Sequence, residues 1–216
     1  MYKISFFLIL FLSFISLQAQ DFKVKLSQDV CDCFSKSDKK QDALEACFTN
    51  NIINYQADLE KLIDKNSEIS QYEQGQQLGV KVFFEMQQAL IQNCDDYFEY
   101  FDRLRNESFE DMQKNYGPDN IASLDFQISK NRTAELLWER GNAYFASSNF
   151  NKAKTSYQES LQLDPNYIQS VFFLGWVNEK AGDYNRAIKL YQQVLRRTGK
   201  QEIILFIELA RRKSGN

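Results

Sequence analysis

The chain contains no histidine, and only two prolines and eight glycines in 216 residues. Without histidine the commonest general base is missing, and with it the Ser-His and Cys-His schemes of nucleophilic catalysis. No glycine-rich loop of the kind that cradles phosphates occurs. No dense basic stripe occurs either, which argues against nucleic acid as a partner. Cysteine is absent from the second half: Cys31, Cys33, Cys47 and Cys94 are all there is. Beyond residue 20 no apolar run is long enough to span a bilayer, so no stable membrane insertion is expected once the leader is removed. Few breakers, no alternating strand pattern, and long stretches of Glu, Gln, Lys, Leu and Ala together predict an all-α protein.

What is present begins with the leader. The segment MYKISFFLILFLSFISLQAQ has Lys3 as a positive flank, an apolar run from Ile4 to Leu17, then Ala19 and Gln20 before the polar stretch from Asp21. That is the pattern of a secretory signal peptide over residues 1–20, and it predicts an exported chain. Charge then divides unevenly. Residues 21–131 carry 12 Lys and Arg against 21 Asp and Glu, a net of −9, whereas residues 132–216 carry 13 against 8, a net of +5. Two modules of opposite bias are expected.

An even number of cysteines behind a signal peptide reads as two disulfides. Their spacing matches no familiar zinc pattern, and neither metal nor cofactor is expected. Helix geometry narrows the pairing. A first helix over Phe22 to about Lys36 centres its apolar arc on Leu26, Val30 and Phe34. Cys31 and Cys33 fall on opposite shoulders of that arc, about 200° apart, too divergent to bond each other. A second helix, Lys39 to Lys65, aligns Leu44, Phe48, Ile52, Tyr55, Leu59 and Leu62, with Cys47 beside them. A third, Ser70 to Gln113, aligns Gly79, Phe83, Met86, Leu90, Cys94, Tyr97, Phe101 and Leu104. Cys47 should take one cysteine of the first helix and Cys94 the other. Residues 21–115 thus read as a three-helix bundle stapled by disulfides. A thiol-exchange role for the Cys-x-Cys pair would need an exposed, low-pKa thiol, which a mid-helix site without histidine does not supply. Residues 116–132, holding Gly117 and Pro118, read as a connector with a short helix over Ile121–Ile128.

From residue 134 the sequence repeats itself at an offset of 34. Gly141 falls on Gly175, Phe150 on Tyr184, Asn151 on Asn185, Ala153 on Ala187, Tyr157 on Tyr191, Gln158 on Gln192 and Leu161 on Leu195. This period and pattern resemble the tetratricopeptide repeat, with copies at 134–167 and 168–201. The small residues Gly141, Gly175, Ala153 and Ala187 lie where paired helices cross. Tyr144, Tyr157 and Tyr191 fill the wedges, and Pro165 ends a helix. The departures are Arg140 at a usually apolar position, Leu137 in place of Trp, and Gly199 in place of a second Pro. A further amphipathic helix, Glu202 to about Lys213, reads as a solvating cap. Two repeats and a cap make a short array, so the N-terminal bundle or a second copy, as a homo-oligomer, is expected to cover its open end.

The resemblance also implies a function. The first helix of each hairpin lines a concave groove, which places Glu135, Trp138, Asn142, Phe145 and Ala146 beside Gln169, Phe172, Trp176, Glu179 and Lys180. Trp138, Asn142, Phe145, Phe172, Trp176 and Lys180 are the expected contacts to a partner protein or peptide, with Phe172 and Trp176 as anchors. Asn142 and Lys180 alone do not make the cationic clamp that some relatives use for carboxylates. Adjacent acids such as Asp95–Asp96 and Glu110–Asp111 diverge on a helix and read as solvated surface. No catalytic residue is expected. The chain reads as a non-enzymatic adaptor or scaffold, or else as a structural subunit of an envelope assembly with its groove permanently filled. Small signal-led proteins with such repeats are familiar from Gram-negative bacteria, which implies a periplasmic address. Asn106 in NES and Asn131 in NRT fit the glycosylation pattern.

Overall fold

The structure is a computed structural model that describes residues 22–215. The expected leader over residues 1–20 lies outside the described residues. Among those residues the chain is helical throughout, with no strand. It divides into two compact units, Met1–Tyr100 and Phe101–Asn216.

In the first unit, helix α1 covers residues 22–35. Phe22, Leu26, Val30 and Phe34 recur every fourth residue and are all buried. Cys31 and Cys33 flank that stripe and part as expected. Cys31 bonds Cys94 and Cys33 bonds Cys47, with Cα separations of 5.8 and 5.7 Å. Helix α2, Gln41–Ile52, buries Leu44 and Cys47. The single helix expected to run on to Lys65 does not form. A 3-10 turn at Ile53–Tyr55 interrupts it before the short helix α3, Gln56–Glu60. The turn shifts the angular phase, so Tyr55 reaches α1, where its hydroxyl donates to Asp29 Oδ2 at 2.7 Å and its ring meets Phe22. The cost is that Leu62 stays exposed rather than joining the predicted stripe, and Ile53 is exposed as well.

Helix α4, Gln71–Asn93, starts at a capping box in which Ser70 accepts from Glu73 N and the Glu73 carboxylate accepts from Ser70 N. This satisfies two donors that a helix start otherwise orphans. The long third helix predicted from Ser70 to Gln113 breaks at Cys94, whose backbone is extended (φ −123°, ψ 108°). Helix α5, Asp95–Asn115, restarts with two acids in its first turn, the favourable sign for a helix N-terminus. Tyr97 and Tyr100 then pack edge-on against Phe34, and Tyr97 donates to Gln87 Oε1 at 2.7 Å. The division between the units falls inside α5, before Phe101.

In the second unit the expected connector holds a full helix, α6, Pro118–Lys130, longer than the predicted Ile121–Ile128. Proline suits a first helical turn because its missing N–H would be unpaired there anyway. Asn120 Oδ1 accepts from Gly117 N to close the start. Two helical hairpins follow: α7, Ala134–Ala146, with α8, Phe150–Leu163, and α9, Ile168–Lys180, with α10, Tyr184–Thr198. The 34-residue offset holds in the local chemistry. Asn149 and Asp183 cap the second helices through their side chains. Ser148 and Gly182 occupy the same left-handed position of each turn. Asp164 adopts the extended backbone that a following proline favours, and α8 stops there.

The departures from the repeat pattern have physical counterparts. Arg140 is held by Glu159 and Asp125 and donates to Ser156 Oγ at 3.1 Å. Gly199 sits at φ 67° as the left-handed cap of α10. Leu137 is fully buried. The last helix, α11, Ile203–Ser214, buries Ile203, Leu205, Ile207, Leu209 and Ala210, so it is a packed layer as well as a cap.

Candidate functional site

Helices α7 and α9 lie side by side because each crosses its partner closely. Gly141 faces Tyr157 and Gly175 faces Tyr191 with no room for a Cβ. Both tyrosines are buried, which pushes their phenols well above the usual range. Tyr157 donates to Asn142 Oδ1 at 2.8 Å and Tyr191 to Glu179 Oε2 at 2.7 Å. These pairs tie the second helix of each hairpin to the first.

The face expected to line the groove is covered by residues 101–115 of α5. Phe109 packs on Phe145 at 4.9 Å and on Trp176 at 6.3 Å between ring centroids. Met112 joins the same cluster, and Gln113 Nε2 donates to Ala146 O at 3.1 Å. Arg105 lies with its guanidinium carbon 3.7 Å from the Trp176 ring centroid. Its Nη2 donates to Tyr191 Oη at 2.7 Å and sits 3.5 Å from Glu179 Oε2. Lys213 of α11 completes the polar rim, 2.5 Å from Asp102 and 3.2 Å from Glu179.

The six predicted contacts therefore separate. Phe145, Phe172, Trp176 and Lys180 meet around α5. Phe145 and Trp176 are 0% and 4% exposed. Phe172 is half-buried among Phe173, Tyr191 and Phe206. Lys180 Nζ donates to Asn106 Oδ1 at 2.6 Å and lies 4.6 Å from the Phe109 ring. Burial, and then the charge of Lys213, hold its pKa below the usual lysine value. Asn142 is buried and committed to Tyr157, with Tyr116 as a second, longer contact at 3.5 Å. Trp138 packs on the edge of the same apolar cluster, against Phe173 and Tyr167. An amphipathic segment of the same chain, residues 101–115 of α5, packs on the apolar face of α7 and α9.

Arg105, Phe109, Phe173, Phe206, Asp102 and Lys213 escaped the sequence reading. One signal pointed their way. The 34-residue offset sets Glu179 on the position of Phe145, and a carboxylate at a buried aromatic position requires a cation nearby. The spacing Arg105, Phe109, Met112 is the i, i+4, i+7 face of a helix.

Residues 131–199 match the model of the Tetratricopeptide repeat family. This segment is a tetratricopeptide-repeat array. A curated relative, the uncharacterized protein ycf37 of Pyropia yezoensis, is 33% identical over 82 residues, which is 38% of this chain and 43% of that protein. The chain thus spans less than half the length of the relative it matches. Tetratricopeptide repeats generally mediate protein–protein interaction. Among the described residues no helix is long and apolar enough to cross a membrane. The first unit holds a separate cavity of about 490 Å³, bordered by Leu59, Ile63, Gly75, Leu78 and Gly79.

Proposed function

We propose that this chain is a non-enzymatic protein-interaction scaffold whose tetratricopeptide face is a seat for an amphipathic helix, and that residues 101–115 of its own α5 fill that seat. The observation that carries this reading is the insertion of Arg105 and Phe109 between α7, α9 and α11. It favours the structural reading, with a filled groove, over an adaptor with an open one. Trp138, Asn142, Phe145, Phe172, Trp176 and Lys180 then serve first to hold the chain's own helix or to support the array. A partner reaches them only by replacing α5. Hydrogen exchange on the oxidised full chain tests this. Amides of residues 101–115 should be protected to within about tenfold of those in α9, since both open together. Protection a thousandfold weaker than that of α9 would mean an open groove and would restore the adaptor reading.

The same proposal places the mature chain in an oxidising compartment, with the periplasm as its address. Two disulfides and the leader-like run of Ile4–Leu17 support it. N-terminal sequencing and thiol trapping on the chain from its native cell would check it. Free Cys31 and Cys33 in cells would rule export out.

A further inference from the structure

The guanidinium of Arg105 is held chiefly by aromatic faces. Its carbon lies 3.7 Å from the centroid of Trp176, 4.6 Å from Phe206, 5.4 Å from Phe172 and 6.0 Å from Tyr191. All four rings are within the range at which a cation is drawn to an aromatic quadrupole. Glu179, buried at their edge, supplies the counter-charge, and Tyr191 Oη accepts one hydrogen bond. The residue is only 6% exposed, yet its Nε has no partner. Trp176 Nε1 is also buried without one.

That arrangement is a poor way merely to fasten a helix. An apolar side chain of similar volume commonly fills a buried ionic site at no loss of stability, and often with a gain. The rest of α5 shows that solution at Phe109 and Met112, which pack on the array's apolar cluster. A buried arginine with an unpaired Nε adds discrimination instead. Only a planar cation can lie flat on Trp176 while reaching both Tyr191 Oη and Glu179. A lysine ammonium is a compact, strongly hydrated charge that cannot stack in this way.

We infer that Phe172, Trp176, Tyr191 and Phe206, with Glu179 at their edge, form a guanidinium-binding cage by which the array selects its helix. Arg105 is the guanidinium it holds in this chain, and an amphipathic helix bearing an arginine followed by an aromatic residue four positions on is the class of ligand that competes for it. The inference rests on the helix-seat reading above, and adds to it the group that is recognised.

The test is chemical rescue of Arg105→Ala in the oxidised full chain. Ethylguanidinium, which reproduces the end of an arginine side chain, is titrated at low millimolar concentration, with ethylammonium at equal ionic strength beside it. Emission of the two tryptophans, Trp138 and Trp176, and the melting temperature are the readouts; both tryptophans lie in the second unit. The expected result is a saturable change with ethylguanidinium, at least tenfold weaker with ethylammonium, absent from the wild type and lost in Arg105→Ala/Glu179→Gln. Should Arg105→Ala be unfolded, the same titration reads recovery of native emission, because a ligand of the native state alone draws the chain into it. No saturable response, an equal response to ethylammonium, or the same response in the wild type would overturn the cage. Hydrogen exchange separates the two failures. A protected α5 with no rescue refutes the cage alone, whereas an unprotected α5 in the wild type refutes the seat itself.

Discussion

Replacing Gly141 with alanine sets two opposing effects against each other, and the structure decides which wins. In an exposed helix the change is favourable by about 1 kcal/mol, because glycine loses more backbone freedom on folding. Here the added Cβ would stand 2.3 Å from Tyr157 Cε1 and 2.5 Å from its Cδ1. Carbon atoms rest at about 3.5–4.0 Å, so ring or backbone must move by more than an ångström. The ring cannot swing aside freely, since it is buried and its hydroxyl is bonded to Asn142. Overpacking of this kind costs about 1–3 kcal/mol, and a strained buried hydrogen bond adds about 1 kcal/mol. The net expectation for Gly141→Ala is a loss of roughly 1–3 kcal/mol. Gly175→Ala should lose less, because its nearest contact, Tyr191 Cε1, is at 2.8 Å. Gly75→Ala and Gly79→Ala in α4 are the controls. Nothing lies within 4 Å of their Cβ positions, and each should be neutral or stabilising by up to about 1 kcal/mol. Urea unfolding of the oxidised chain supplies the values, with tryptophan emission for the second unit and far-ultraviolet dichroism for both. An unchanged midpoint for Gly141→Ala, or a larger loss at Gly75 than at Gly141, would refute the close-crossing argument.

Three further outcomes follow from the same contacts. Trp176→Ala should destabilise the second unit by about 3–5 kcal/mol, because it empties a buried site between Arg105, Phe109 and Phe145; a nearly unchanged melting temperature would instead mark it as an open anchor. Removing the Cys31–Cys94 bond, which closes 63 residues, should cost roughly 4 kcal/mol, and removing Cys33–Cys47, which closes 14, roughly 3 kcal/mol in the chain-entropy account; urea unfolding of the paired alanine variants should rank them in that order. Burial raises the phenol pKa of Tyr97, Tyr157 and Tyr191 above the ordinary value of 10.0. Above pH 10 the unfolded chain therefore binds fewer protons than the folded one, so stability is full below pH 10 and falls as pH rises beyond it. The slope should approach about 1.4 kcal/mol per pH unit for each buried tyrosine. Absorbance near 295 nm should show these tyrosinates appearing only with loss of helix.

Local rules alone determined much of this protein. The period of 34 carried both hairpins, because each repeat reuses one set of contacts: Gly141 against Tyr157 and Gly175 against Tyr191. The angular separation of Cys31 and Cys33 on one helix was enough to send them to different partners. Helix breaks were less legible. The 3-10 turn at Ile53–Tyr55 and the extended Cys94 carry no proline or glycine; long-range demands impose them, the reach of Tyr55 to Asp29 and of Cys94 to Cys31. The occupant of the tetratricopeptide face was decided only by tertiary structure. Periodicity shows that a helix has an apolar side, and the spacing of Arg105, Phe109 and Met112 says no more than that. Which surface receives that side depends on where the rest of the chain lies. Here Glu179, a carboxylate at a position the preceding repeat fills with Phe145, meets its cation only because the fold brings Arg105, 74 residues away in sequence, to its edge.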